Sequence, residues 1–137
     1  MRILVCTDGS EYANKAVKFA AQFAKNYGAD LTKLYIVEYM ESREAPLSDD
    51  YGDKHHEAKK ALKKAEKIIS QVDSNINAKE RVAVGPVSSE IVRIAEDEKF
   101  DVIIVGTKGH RGVKRMLLGS VADDVIHFAN CPVLVVR

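Results

Sequence analysis

Tryptophan is absent from this 137-residue chain, and proline (three), methionine (three) and cysteine (two) are scarce. The two cysteines, Cys6 and Cys131, sit at opposite ends, and no CxxC pair or histidine cluster accompanies them. That excludes a disulfide framework and gives no support to a structural zinc or redox motif. Two small buried hydrophobes in a reducing cytoplasm are the simplest reading. An excess of either charge is also missing: 21 Lys and Arg stand against 20 Asp and Glu, a net +1. Nothing here resembles the electrostatic footprint of a nucleic-acid binder or an acidic disordered tail. No uncharged apolar run exceeds strand length, so no membrane-spanning helix is expected. The opening residues enter a strand directly, without the layout of a signal peptide. What remains is one cytoplasmic globular domain, 1–137, of ordinary composition: 46% hydrophobic and 30% charged. A chain this long buries about two-thirds of its unfolded surface.

Within those bounds, strand and helix patterns alternate. Residues 2–7 form an apolar run suited to a strand covered on both faces. Ser10 offers an N-cap hydroxyl, and Ala13, Ala16, Val17, Ala20, Phe23, Ala24 and Tyr27 follow at helical spacing before Gly28. A second strand is expected over 31–37, a long polar loop over 38–53 and a second helix over 54–72. Residues 79–84 form the third strand, followed by a helix capped by Ser88 or Ser89 and running through 98. The fourth strand is 101–105, the last helix 120–129 and the fifth strand 132–136. Five strands separated by helices imply an α/β, Rossmann-like fold: an open five-stranded parallel sheet with helices on both faces. In such folds ligands bind beyond the carboxyl ends of the strands, where strand order reverses. If the first and fourth strands are neighbours, the 7–10 and 106–120 loops face each other there.

Those two loops carry the unusual chemistry. Gly106 and Gly109 follow the fourth strand, and after nine intervening residues Gly119-Ser120 opens the last helix. Glycines between a strand end and a helix start let backbone N–H groups approach a phosphate, and the helix N-terminus adds its dipole. Lys108, His110, Arg111, Lys114 and Arg115 give the loop a positive density that favours a polyphosphate. The pattern is neither GxxxxGK[ST] nor GxGxxG, so P-loop hydrolysis and hydride transfer lack their signatures. Asp8 stands at a strand end, where it can meet ribose hydroxyls, adenine N–H groups or a phosphate-bound Mg²⁺, or simply hold the Asp8-Gly9-Ser10 turn.

The segment GTKGHRGVKRMLLGS matches the G-x2-G-x9-G-[ST] signature of the universal stress protein family. SVADDVIHFANCPVLVVR resembles that family's final helix and strand, and ILVCTDGSEYANKAVKFA its first strand, aspartate loop and helix. The resemblance spans the chain. It implies strand order 3-2-1-4-5, a homodimer and, with the signature intact, ATP (or AMP or ADP) binding with Mg²⁺ or Mn²⁺ held mainly by the phosphates. By the same match, Asp8 contacts the nucleotide or its metal, and Cys6 and Thr7 lie near ribose or base. Val37 meets adenine through its backbone, and Gly106, Gly109, Gly119, Ser120 and Val121 hold ribose and phosphates, with Val105, His110 and Arg111 beside them. Relatives often carry proline or a small residue where this chain has Cys6.

The remaining features read structurally. His55-His56 is a solvated helix start, His127 packs or lies near an interface, and the lysine-rich 59–67 run is the wet face of the second helix. Lys79, Glu80 and Arg81 guard one sheet edge, whereas Val133, Leu134, Val135 and Val136 leave the other bare, to be covered by a second copy through 132–137. The expected function is a nucleotide-dependent stress sensor or regulator. Slow ATP hydrolysis or autophosphorylation is the first alternative, and a nucleotide-free interaction module the second. No general base, arginine finger or switch glutamine can be assigned.

Overall fold

The computed structural model of the chain describes residues 1–39, 48–109 and 118–137, with side chains of the second segment described from residue 52. Nine elements alternate: β1 (Arg2–Cys6), α1 (Glu11–Tyr27), β2 (Asp30–Glu38), α2 (Ser48–Val72), β3 (Lys79–Gly85), α3 (Val87–Asp97), β4 (Val102–Gly106), α4 (Ser120–Phe128) and β5 (Val133–Val136). The strands form one parallel sheet in the order β3-β2-β1-β4-β5. The expected topology is therefore the observed one.

Strand alternation divides the core into two layers. Ile3, Val5, Leu31 and Ile104 face α1 and α2, packing on Ala16, Val17, Ala20, Ala65 and Ile69. Leu4, Leu34, Ile36 and Ile103 face α3 and α4, packing on Ile91, Ile94, Ala122 and Val125. β1 and β4 are central and covered on both sides, which is why they read as unbroken apolar runs. Alanines dominate the inner face of α1, so that helix sits close against the sheet.

Two helix starts depart from the sequence reading. α2 begins at Ser48, six residues before the expected start, so the 38–53 connection is not one long loop. Gly52 is tolerated inside the helix. α3 begins on Pro86 rather than on a serine cap: Pro86 occupies the cap position and Ser88 lies inside the first turn. The Ser88 hydroxyl instead lies 3.1 Å from Asp124 Oδ2, tying α3 to α4. By contrast, Ser10 caps α1 as expected, its Oγ accepting from the Ala13 N–H at 3.2 Å, and Gly28 closes the helix in the left-handed conformation.

One buried charge was not legible. Lys33, in the middle of β2, is 4% exposed, yet it sits on the α2 side of the sheet and reaches Glu66, with Glu80 of β3 at 3.4 Å.

Candidate nucleotide-binding site

The chain crosses from one face of the sheet to the other between β3 and β4, which places the order reversal at the β1–β4 pair. Beyond their carboxyl ends lie the turn through Asp8, Gly9 and Ser10 and the start of the glycine loop. Thr7 is buried, its N–H donating to Leu34 O at 2.9 Å and its Oγ1 accepting from Gly9 N–H at 3.1 Å. Asp8 Oδ1 accepts from Ser10 N–H at 2.9 Å, so the turn-forming role of this carboxylate is realised. Its other oxygen faces the glycine loop: a Cβ on Gly109 would come within 2.5 Å of Asp8 Oδ2.

The other two signature glycines are also sites of close approach. A Cβ on Gly106 would lie 2.8 Å from the backbone C and O of Tyr12, and one on Gly119 would lie 3.0 Å from Thr107 O. Gly106 therefore lets β4 run against the start of α1. Gly119 lets the last helix begin against the 107–108 backbone, held by its N–H donating to Thr107 O. Gly119 is the cap of α4, and Ser120 and Val121 are its first helical residues. The arrangement leaves a helix N-terminus, two backbone turns and one carboxylate around a single crevice. Lys108 brings a cation to it, 5.7 Å from the Tyr12 ring centroid.

Not every expected residue takes its expected place. Val105 is 3% exposed and belongs to the core. Val37 is also buried. Its main-chain groups face β3 rather than the space beyond β1. Leu34 O accepts from Thr7, on the β1 side, whereas Tyr39 N–H donates to Gly85 O at 3.2 Å, on the β3 side. Main-chain groups alternate along a strand, and the β2–β3 register runs unbroken from Thr32↔Lys79 to Glu38↔Gly85. Hence Val37 is aimed at β3, and the N–H and C=O of Ile36 point into the space past the end of β1. His110 and Arg111 lie outside the described residues.

The Cys6 thiol is enclosed at the end of β1, and burial pushes it up to about 12, so it is neutral. It adds a small apolar wall and no charge. Tyr35, missed in the sequence, is half-buried on β2, its phenol pushed up by burial and by the carboxylates of Glu57 and Asp8. Only the two-residue strand period could have suggested it. In the first turn of α1, Asn14 Nδ2 donates to Gly9 O at 3.4 Å while its buried Oδ1 has no hydrogen-bond partner among the described residues. Among the described residues no group of three His, Cys, Asp or Glu side chains is placed to hold a metal ion. No described helix is long and apolar enough to cross a membrane.

The sequence matches the profile of the Universal stress protein family over residues 1–137. The chain belongs to the universal stress protein family. A curated member from Methanocaldococcus jannaschii is 36% identical over 99% of this chain and 81% of its own length. The solved universal stress protein UspA from Lactobacillus plantarum superposes with a TM-score of 0.89 at 28% identity, covering all of this chain and 97% of that one. Two further solved universal stress proteins were determined with ligands. One is in complex with cAMP (TM-score 0.80, 25% identity, 100% and 97% covered). The other, from Archaeoglobus fulgidus, is in complex with dAMP (TM-score 0.75, 26% identity, 100% and 98% covered). The family's glycine signature thus coincides in this chain with three points of close approach, to backbone at Gly106 and Gly119 and to the Asp8 carboxylate at Gly109.

Proposed function

We propose that this universal stress protein binds ATP, or another adenine nucleotide, in the crevice beyond β1 and β4, and acts as a nucleotide-dependent sensor or regulator. One observation carries the reading. Gly106, Gly109 and Gly119 bring the fourth strand, the 8–10 turn and the start of α4 so close that no side chain fits between them. That cradle lies at the order reversal, where an open parallel sheet takes its ligands. The family members holding cAMP and dAMP support an adenosine phosphate as the occupant.

In this reading the phosphates lie on the N–H groups of Ser120 and Val121, at the positive end of α4, with Lys108 nearby. Asp8 takes ribose hydroxyls through Oδ2, while Oδ1 keeps the turn. The adenine edge is read by the Ile36 main chain rather than that of Val37. Thr7 and Cys6 wall the base, and His110 and Arg111 complete the phosphate loop. A Mg²⁺ or Mn²⁺ ion accompanies the phosphates. Occupancy, rather than turnover, is the signal, transmitted by a cytoplasmic homodimer paired through β5.

Calorimetric titration of ATP with Mg²⁺ into nucleotide-free protein tests this. Micromolar binding, with dAMP competing and GTP much weaker, is the expected outcome. No heat and no competition at millimolar ATP would leave the signature glycines as packing residues only.

A further inference from the structure

Tyr12 stands in the first turn of α1, half-buried, and its ring meets two ammonium groups. Lys15 Nζ lies 5.2 Å from the ring centroid and Lys108 Nζ 5.7 Å. Both are within the roughly 6 Å over which a ring face attracts a cation. The two contacts differ in origin. Lys15 follows Tyr12 on the same helix, and Glu11 answers its charge at 3.7 Å, an ordinary set of helix neighbours. Lys108 arrives from the glycine loop, near the other end of the sequence, and has no ion pair among the described residues.

The signature glycines pin both ends of the Lys108 contact. Gly106 has no room for a side chain because the Tyr12 backbone lies against it, so the main chain that carries the ring is fixed at the end of β4. Gly119 has none because Thr107 O and the Lys108 Cα lie 3.0 and 3.3 Å from where its Cβ would stand. The backbone of Lys108 is thereby fixed against the cap of α4. Only the flexible four-carbon stem of the lysine is left to take a position, and the Tyr12 ring selects one.

We propose that Tyr12 is a positioning residue: its ring holds Lys108 for the outer phosphates of the nucleotide, and so sets a preference for ATP over AMP. This rests on the nucleotide reading above. In that reading the first phosphate meets the N–H groups of Ser120 and Val121, a contact that every adenosine phosphate can make. Phosphates beyond it call for more positive charge, and Lys108 is the described cation whose backbone abuts that helix start. A ring suits the task better than a carboxylate. A carboxylate would bind the ammonium by charge and compete with the phosphates for it. A ring orients the ammonium and leaves its charge uncancelled. Lys15 and Lys108 also repel one another across the shared ring, and Glu11 answers only Lys15, so further negative charge beside Lys108 is favourable.

The test is calorimetric titration of nucleotide-free protein with ATP and with AMP, each with Mg²⁺. The parent should bind ATP more tightly than AMP. Tyr12→Leu keeps apolar bulk and loses the ring. It should weaken ATP about three- to fivefold, the size of one cation–π contact, and leave AMP within about twofold. Tyr12→Phe, which keeps the ring face, should restore the ATP affinity. Lys108→Met should weaken ATP at least as much as Tyr12→Leu, and combining the two should add nothing, because ring and ammonium act as one unit. A purely structural role for Tyr12 would weaken both nucleotides together and would persist without Lys108. Nuclear magnetic resonance of the nucleotide-free protein reads the contact directly: the Lys108 ε-methylene protons should leave the shielding face of the ring, moving downfield, in Tyr12→Leu and stay in place in Tyr12→Phe. A parent that binds neither nucleotide would remove the nucleotide reading, and this role with it. With ATP bound by the parent, four results would each overturn the role of Tyr12 alone: equal affinities for ATP and AMP, no loss of ATP in Tyr12→Leu, an equal loss of AMP, or additive losses in the double variant.

Discussion

At the residue scale, the three signature glycines differ in what stands against them, and that separates packing from binding. Gly106 faces the backbone of Tyr12, which cannot move without shifting the start of α1. Gly106→Ala should therefore destabilise the fold by about 1–3 kcal/mol, the usual cost of overpacking, lowering the melting temperature in a thermal scan. Gly109 faces the Asp8 carboxylate, a side chain rather than backbone. Gly109→Ala should lower the melting temperature less than Gly106→Ala, since a side chain gives way more readily than backbone, yet lose most ATP affinity in the same calorimetric titration. An equal melting shift for both would show that the glycines serve packing alone. The motif was legible in the sequence because its spacing is fixed; the atoms opposite Gly106 and Gly109 were not, because they come from Tyr12 and Asp8, about a hundred positions away. Cys6 was legible as a buried thiol, and its consequence is a pH effect. The folded thiol is raised to about 12 from the ordinary 9.0 by burial. The unfolded chain gives up its proton first, so the contribution is intact below pH 9 and is lost as pH climbs from 9 toward 12. Between pH 9 and 10.5 the parent should lose about 1–2 kcal/mol more than Cys6→Ala, at about 1.4 kcal/mol per pKa unit. Parallel urea denaturation curves for the two proteins that stay a constant distance apart would refute this.

At the element scale, order and type were readable, as were both ends of α1, but the starts of α2 and α3 were not. The apolar periods of β1, α1 and β4 are unambiguous because each packs on a full layer. The start of α2 was misread because Gly52 looks like punctuation, whereas the helix runs through it from Ser48. The start of α3 was misread because two serines resemble a cap, while Pro86 already fixes an extended backbone at that place. β2 held the larger surprise. Its alternation puts Lys33 on a buried face, and neither Glu66 nor Glu80 can be matched to it without knowing that α2 and β3 both lie alongside. The ion cluster gives a prediction about which half matters. Removing both carboxylates, Glu66→Gln with Glu80→Gln, leaves a buried ammonium uncompensated and should cost about 2–3 kcal/mol, somewhat below a fully buried pair because both acids are half-exposed. Lys33→Met, which removes the charge that needs compensation, should be neutral or stabilising. Denaturant titration checks both, and a Lys33→Met variant weaker than the double glutamine variant would show that the lysine is a net stabiliser.

At the scale of the whole molecule, the two sheet edges are unequal. β3 ends the sheet on one side with Lys79, Glu80 and Arg81 exposed, side chains that discourage a further strand. β5 ends it on the other with four aliphatic residues, all only half-covered. Backbone alternation specifies what the bare edge offers. Pro132 O accepts from Ile103 N–H and Val136 O from Thr107 N–H, both at 3.0 Å, so residues 132, 134 and 136 bond inward to β4. The N–H and C=O groups of Val133 and Val135 therefore face outward, a short template that an antiparallel copy of itself would satisfy across a two-fold axis. This makes the proposed homodimer testable without disturbing the sheet. Proline is tolerated on an edge strand where its missing N–H would have pointed outward. Val135→Pro removes one outward donor per copy while the inward bonds of Leu134 and Val136 stay in place. The expected result is a parent protein of twice the chain mass by light scattering at about 10 μM, a concentration at which a stable interface persists, and a variant of single mass with an unchanged far-ultraviolet spectrum. A parent already of single mass would remove the β5 pairing, and with it the idea that nucleotide occupancy is read by a paired molecule. A dimeric Val135→Pro would move the interface elsewhere, most directly to the exposed Ile126 and Phe128 at the end of α4.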